Sequence, residues 1–116
     1  MQHEKLNYVE FPSRDLALTK TFFNRLFGWQ FEDFGEDYCA FSDQGLDGGF
    51  YRSSLYAATA SGSALLVFYS RDLESTLSRV EAAGGRIVKP VFAFPGGRRF
   101  HFCEPCDNEF AVWSDQ

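Results

Sequence analysis

Glu10 is the first residue whose type and setting could do chemistry. It lies in an alternating run, Asn7-Tyr8-Val9-Glu10-Phe11, so Tyr8 and Glu10 share one face of a strand and Asn7, Val9 and Phe11 the other. A carboxylate lodged among apolar groups holds its proton more tightly and can serve as a general base. The alternative is a carboxylate at a strand end, solvated or paired with an arginine. A second set is His101-x-Cys103-x-x-Cys106. His101 and Cys103 share a strand face, and Cys106 could curl back to complete a zinc site. The two cysteines could equally form a redox pair, or all three could be a buried thiol, a loop thiol and a hydrogen-bonded histidine. Glu109, Ala111 and Trp113 share one face of the last strand, where Trp113 could line a cavity, fill core volume or meet a second chain. Arg98-Arg99 adjoin a turn and could grip an anionic group or form a solvated rim. The pairs Gly48-Gly49, Gly84-Gly85 and Gly96-Gly97 lack the strand, Gly-rich loop and helix setting of a phosphate loop, so turns and caps explain them.

The elements that position these residues come from a repeat. Ser13-Arg14-Asp15-Leu16 returns as Ser70-Arg71-Asp72-Leu73. Each copy follows a short apolar-alternating run and opens a helical pattern, with Asp15 and Asp72 as N-caps. In the first helix Leu18, Phe22, Phe23, Leu26 and Phe27 recur at helical spacing and read as core. In the second, Leu73, Leu77 and Val80 point inward. The helices end at glycines in the same register, Gly28 and Gly85. Strands are expected over residues 7–11, with Pro12 ending the run, and over 29–34, 38–41 and 46–52 in the first copy. The second copy has 64–69, 86–94 (broken by Pro90, hence an edge or a bend), 98–103 and 109–114. The order is strand, helix, three strands, twice. Module 1 covers about residues 5–53, a small polar connector 54–63, and module 2 about 64–116, in one α+β domain. One helix per module covers one face of its sheet, so the other face must curve around a ligand, the sister module or another chain.

The chain has 116 residues and a formal net charge of −5, which argues against a nucleic-acid partner and suits a cationic ligand. Fourteen phenylalanines give a short chain a large buried area. No apolar run approaches membrane-spanning length, and the start, Met1 to Lys5, is polar. The three cysteines are an odd number, so no disulfide framework is expected and a cytoplasmic location is.

The arrangement resembles the vicinal oxygen chelate superfamily, which holds glyoxalase I, extradiol dioxygenases and bleomycin-resistance proteins. The resemblance rests on Tyr8-Val9-Glu10-Phe11 with Asp15, on the run from Phe22 to Trp29, on Ala82-Ala83-Gly84-Gly85, and on Glu104-Pro105-Cys106-Asp107-Asn108-Glu109-Phe110. The last resembles the family's Asp-Pro-Asp-Gly-Asn loop, with Cys106 and Asp107 as departures. It implies two βαβββ modules forming a curved mixed sheet around a cavity, often walled by a second chain, hence a homodimer. It also implies a divalent metal held by four ligands, mostly His and Glu, from the first and last strands of each module. Carried over by spacing, those positions are Tyr8, Leu65, Ala111 and a fourth near Gly49 or Phe50. Leucine and alanine offer no donor, and a phenol must lose its proton to bind metal well.

With those ligand positions lost, no cofactor is expected. The leading expectation is metal-independent binding or sequestration of a small hydrophobic or cationic aromatic molecule by Tyr8, Glu10, Leu65, Val67, Glu109, Ala111 and Trp113. The alternative is a glyoxalase-like lyase or isomerase with relocated ligands (Glu10 with His101, or His101, Cys103 and Cys106) or with Glu10 as a metal-free base.

Overall fold

The computed structural model describes residues 1–116. In order they form β1 (Tyr8–Ser13), α1 (Leu16–Phe27), β2 (Glu32–Asp33), β3 (Tyr38–Phe41), β4 (Asp47–Arg52), a 3-10 turn (Thr59–Ser61), β5 (Leu66–Tyr69), α2 (Leu73–Ala83), β6 (Arg86–Phe94), β7 (Gly97–Cys103) and β8 (Glu109–Ser114). Two four-stranded mixed sheets result, in the orders β1-β4-β3-β2 and β5-β8-β7-β6, not closed on one another. In each, the first strand pairs in parallel with the last, and the remaining pairs are antiparallel.

The repeated tetrapeptide is a helix-starting device. Asp15 accepts from Leu18 N at 3.2 Å, and Asp72 from Ser75 N at 3.1 Å. Ser13 and Ser70 accept from the cap N–H groups and bond Thr19 and Thr76 at 2.9 and 2.8 Å. Thr19 is therefore buried, while Leu18 is 49% exposed, contrary to its expected place in the core. At the helix ends the left-handed caps are Gly28 and Gly84. Gly85 has another duty, because a Cβ there would lie 2.7 Å from Val80 Cγ1 and 2.9 Å from Phe22 Cε1. The second helix is thus one residue shorter than the repeat implies.

Pro12 does not end β1, which continues to Ser13. β1 pairs only with β4, and an edge strand tolerates a missing N–H. Residues 29–34 form a strand only at Glu32–Asp33. Trp29 turns inward instead and stacks between Phe23 and Phe41, at 4.5 and 4.3 Å between ring centroids. β5 starts at Leu66, two residues later than expected. The pairing of β6 with β7 shifts register around Pro90, between Ile87 and Phe92.

Both modules contribute to one core. Phe22 of α1 lies 5.9 Å from Phe102 of β7, and Phe11 of β1 lies 5.0 Å from Phe110 of β8. A polar clamp joins them as well. Buried Asn108 donates from Nδ2 to Pro12 O (2.7 Å) and accepts from Ala57 N (2.8 Å). Its neighbour Glu104 accepts from Thr19 Oγ1 and from Asn108 N. Asp107 takes a left-handed φ of 71°, at the position where the family loop carries glycine, and pairs with Arg14 and Arg86. No helix is long and apolar enough to cross a membrane.

Candidate functional site

The core side of each sheet is fixed by Phe11, Cys39, Phe41 and Phe50 in the first and by Phe100, Phe102, Phe110 and Val112 in the second. Strand alternation and register then place Tyr8, Glu10, Tyr38, Gly49 and Tyr51 on the opposite, open face of the first sheet. On the open face of the second they place Val67, Tyr69, Arg99, His101, Cys103, Glu109, Ala111 and Trp113.

On the first face, Tyr38 O–H donates to Glu10 Oε2 at 2.8 Å, and the Tyr8 and Tyr38 hydroxyls are bonded. Tyr38 has one proton to give, so Tyr8 donates to Tyr38 in a chain that ends on the carboxylate. Burial, with the hydrogen bonds to Tyr8 and Glu10, pushes the Tyr38 phenol well above its ordinary value. The space for this phenol comes from Gly49. A Cβ at Gly49 would lie far inside van der Waals contact of the Tyr38 hydroxyl, a clash that glycine alone avoids. Glu10 is in no ion pair and is exposed in the single chain, so this chain alone does not supply the apolar burial that would make it a base.

On the second face, Glu109 is 7% exposed and fully engaged. It accepts from His101 Nδ1 (2.8 Å) and from Thr59 N and Oγ1 (both 2.9 Å). Burial pushes its carboxyl up, but those three bonds outweigh it and hold the group below the usual carboxylate value. Glu109 thus fastens the connector and is not free to meet a cationic ligand. Ala111 is buried, Leu65 is half-buried, Val67 is exposed, and half-buried Trp113 packs edge-on against Tyr69 at 5.2 Å. Arg99 lies over Phe92 and Phe94, at 5.4 and 5.8 Å, whereas Arg98 pairs with Glu74 on the rim.

His101, Cys103 and Cys106 do not come together. Cys106 Sγ lies 3.5 Å from Ser13 Oγ and from Asp15 O, inside the module clamp, while His101 is bonded to Glu109. No group of three His, Cys, Asp or Glu side chains is placed to hold a metal ion, so His101, Cys103 and Cys106 do not form a ligand set. All three cysteines are buried free thiols, and burial pushes the Cys39 and Cys103 thiols up, away from the reactive thiolate.

Two hollows flank the free edge of β1. One, of about 190 Å³, is lined by Trp29, Phe41, Phe68 and Phe110 under the β3–β4 turn. The other, of about 370 Å³, is lined by Glu10, Tyr51, Leu55 and Tyr56. They share Val9, Phe11 and Leu66 as walls.

The profile of the Glyoxalase/Bleomycin resistance protein/Dioxygenase superfamily matches residues 5–112. The chain belongs to this superfamily. A search of curated proteins finds no match. Solved structures agree on the fold. A glyoxalase-related enzyme from Fulvimarina pelagi superposes with a TM-score of 0.79 at 17% identity, over 96% of this chain and 88% of that one. The genomically encoded fosfomycin resistance protein FosX from Listeria monocytogenes gives 0.79 at 16%, over 99% and 96%. A mutant of FosX complexed with Mn(II) and 1S,2S-dihydroxypropylphosphonic acid gives 0.77 at 18%, over 97% and 90%.

Metal in a superfamily member makes the donor set here a direct question. Val67 pairs with Ala111 as Glu10 pairs with Gly49, so register assigns the fourth position to Gly49, and Phe50 is buried in the core. Carried over by spacing and register, the expected ligand positions fall at Tyr8, Gly49, Leu65 and Ala111. They offer one phenol, already committed to Tyr38, and the Tyr38 hydroxyl fills the room above Gly49. This set does not fit a divalent ion.

Sequence reasoning missed Tyr38, Tyr51, Arg99 as a face residue, and Thr59. Alternation alone shows which neighbours share a face; only the β3–β4 register brings Tyr38 beside Glu10. The hairpin's glycines were the available signal, since a glycine pair inside a strand marks a close approach.

Proposed function

We propose that this superfamily member binds or sequesters a small hydrophobic or cationic aromatic molecule without metal. The observation that carries the reading is the exchange at the first open face. Where metal-dependent relatives place ligands, this chain has a phenol–phenol–carboxylate chain, Tyr8–Tyr38–Glu10, over a glycine. The face presents π surface and acceptor oxygens, which suit a cation or a hydrogen-bond donor on an aromatic frame. The acidic chain favours the approach of such a ligand. Tyr51, Val67, Tyr69 and Phe92 are each more than a third exposed on the open faces, and a second copy in a homodimer would cover them.

The test is a tryptophan fluorescence titration with a panel of hydrophobic and cationic aromatics. A saturable change is expected, strongest for cations, and weakened roughly tenfold by Tyr38→Phe, which unties Glu10. No response to any member of the panel would contradict the reading. A second reading, a lyase or isomerase with Glu10 as metal-free base, draws on the Tyr38 bond that aims the Glu10 carboxylate. It requires proton exchange from a bound substrate that Glu10→Gln abolishes.

A further inference from the structure

The hollow beneath the β3–β4 turn meets the duplicated open faces only at Val67. It lies on the core side of the first sheet, where the free edges of β1 and β5 leave a seam between the modules. Nine of its eleven lining residues are hydrophobic, and Gln44 supplies its polar side chain. A chain this rich in phenylalanine packs its rings densely elsewhere, with stacked or edge contacts throughout the core. Trp29, Phe41 and Phe68 pack against their neighbours on one side and wall an unfilled space on the other. An apolar hollow forfeits dispersion contacts unless something enters it. Its volume of about 190 Å³ is that of a small ring, since an apolar cavity of roughly 150 Å³ takes benzene.

The second hollow adjoins the first across the edge of β1. It shares Val9, Phe11 and Leu66 with the first and adds Glu10, Tyr51 and Tyr56. Glu10 uses Oε2 for Tyr38 and has no cationic partner in the chain. A carboxylate with a free oxygen beside two phenol rings is a site for an ammonium group.

We propose that the seam between the modules is a two-part site for an arylalkylamine. The ring enters the hollow of Trp29, Phe41 and Phe68, and a short linker crosses the edge of β1 to bring the ammonium to Glu10. This rests on the metal-free aromatic reading and adds to it a location and a ligand class.

The test is calorimetric titration of the full chain, with chelator in excess, using phenethylamine and its neutral counterpart phenethyl alcohol. The amine is expected to bind about tenfold more tightly than the alcohol at low salt. Glu10→Gln removes that preference, bringing the amine to the affinity of the alcohol. Val9→Phe, on the shared wall, and Leu46→Phe, on the turn above, fill the hollow from different elements. Each weakens both compounds by about tenfold or more without lowering the melting temperature. Amine binding undiminished in both filled variants would overturn the seam site while leaving the aromatic reading standing. Failure of both compounds to bind the unmodified chain, with another aromatic still bound, would overturn the arylalkylamine class. Failure of every aromatic would overturn the broader reading too.

Discussion

Glycine at position 49 decides what the first open face can hold, because any side chain there would displace the Tyr38 hydroxyl. A similar economy of space operates at Glu104, which is 1% exposed beneath the module clamp. Burial pushes its carboxyl above the usual value, and its hydrogen bonds from Asn108 and Thr19 only partly oppose this. A carboxyl with a raised folded pKa holds its proton more tightly in the fold than in the unfolded chain. Its contribution to stability is full below the unfolded value and is lost as pH rises through the folded one. Glu104→Gln keeps the shape, with the amide oxygen accepting from Asn108 N and the amide nitrogen donating to Thr19. The variant should lose this decline, so its stability relative to the parent should rise as pH climbs through and above the ordinary glutamate range. Denaturant midpoints that stay parallel across the pH range would contradict it. At this scale the sequence showed that Tyr8 and Glu10 share a face, since alternation is a local property. It did not show that Glu109 is tied to His101 and Thr59, because that needs the connector, 50 residues away in sequence, folded across β8.

Loop 104–108 behaves as an element in its own right, although it is neither helix nor strand. Asn108 bonds β1 through Pro12 O and the connector through Ala57 N, and both partners are lost in Asn108→Ala. Leaving a buried carbonyl and a buried N–H unpaired should cost about 2–5 kcal/mol in equilibrium denaturation. A loss under about 1 kcal/mol would mean that water replaces the clamp without penalty. The loop's family likeness was visible in the sequence; its role as a joint between modules was not, because Cys106, which follows His101 and Cys103 in sequence, suggested metal or redox chemistry instead. The helices were legible through Asp15 and Asp72, whose capping is decided within four residues. Residues 29–34 were not, because Trp29 and Phe31 are drawn to the core by Phe23, Phe41 and Phe50 and leave only two residues to pair as β2. The repeat counts to Gly85 as a cap; only the closeness of Val80 and Phe22 to it in the fold reveals a close approach.

Over the whole molecule, duplication was readable because each module repeats the same strand, helix and three strands. The sharing of one aromatic core between the modules was not, since no local pattern says which face of a repeat meets its sister. The same duplication supplies the register by which ligand positions carried over from the superfamily fall at Tyr8, Gly49, Leu65 and Ala111. The central claim is that this site works without a metal. It is tested most directly by measuring metal content and aromatic-cation affinity on one untagged preparation, before and after exhaustive chelation. The account expects no stoichiometric divalent metal and an affinity unchanged within about twofold, a difference under 0.5 kcal/mol. One tightly held divalent ion per chain, or binding that vanishes on chelation and returns with added metal, would contradict it.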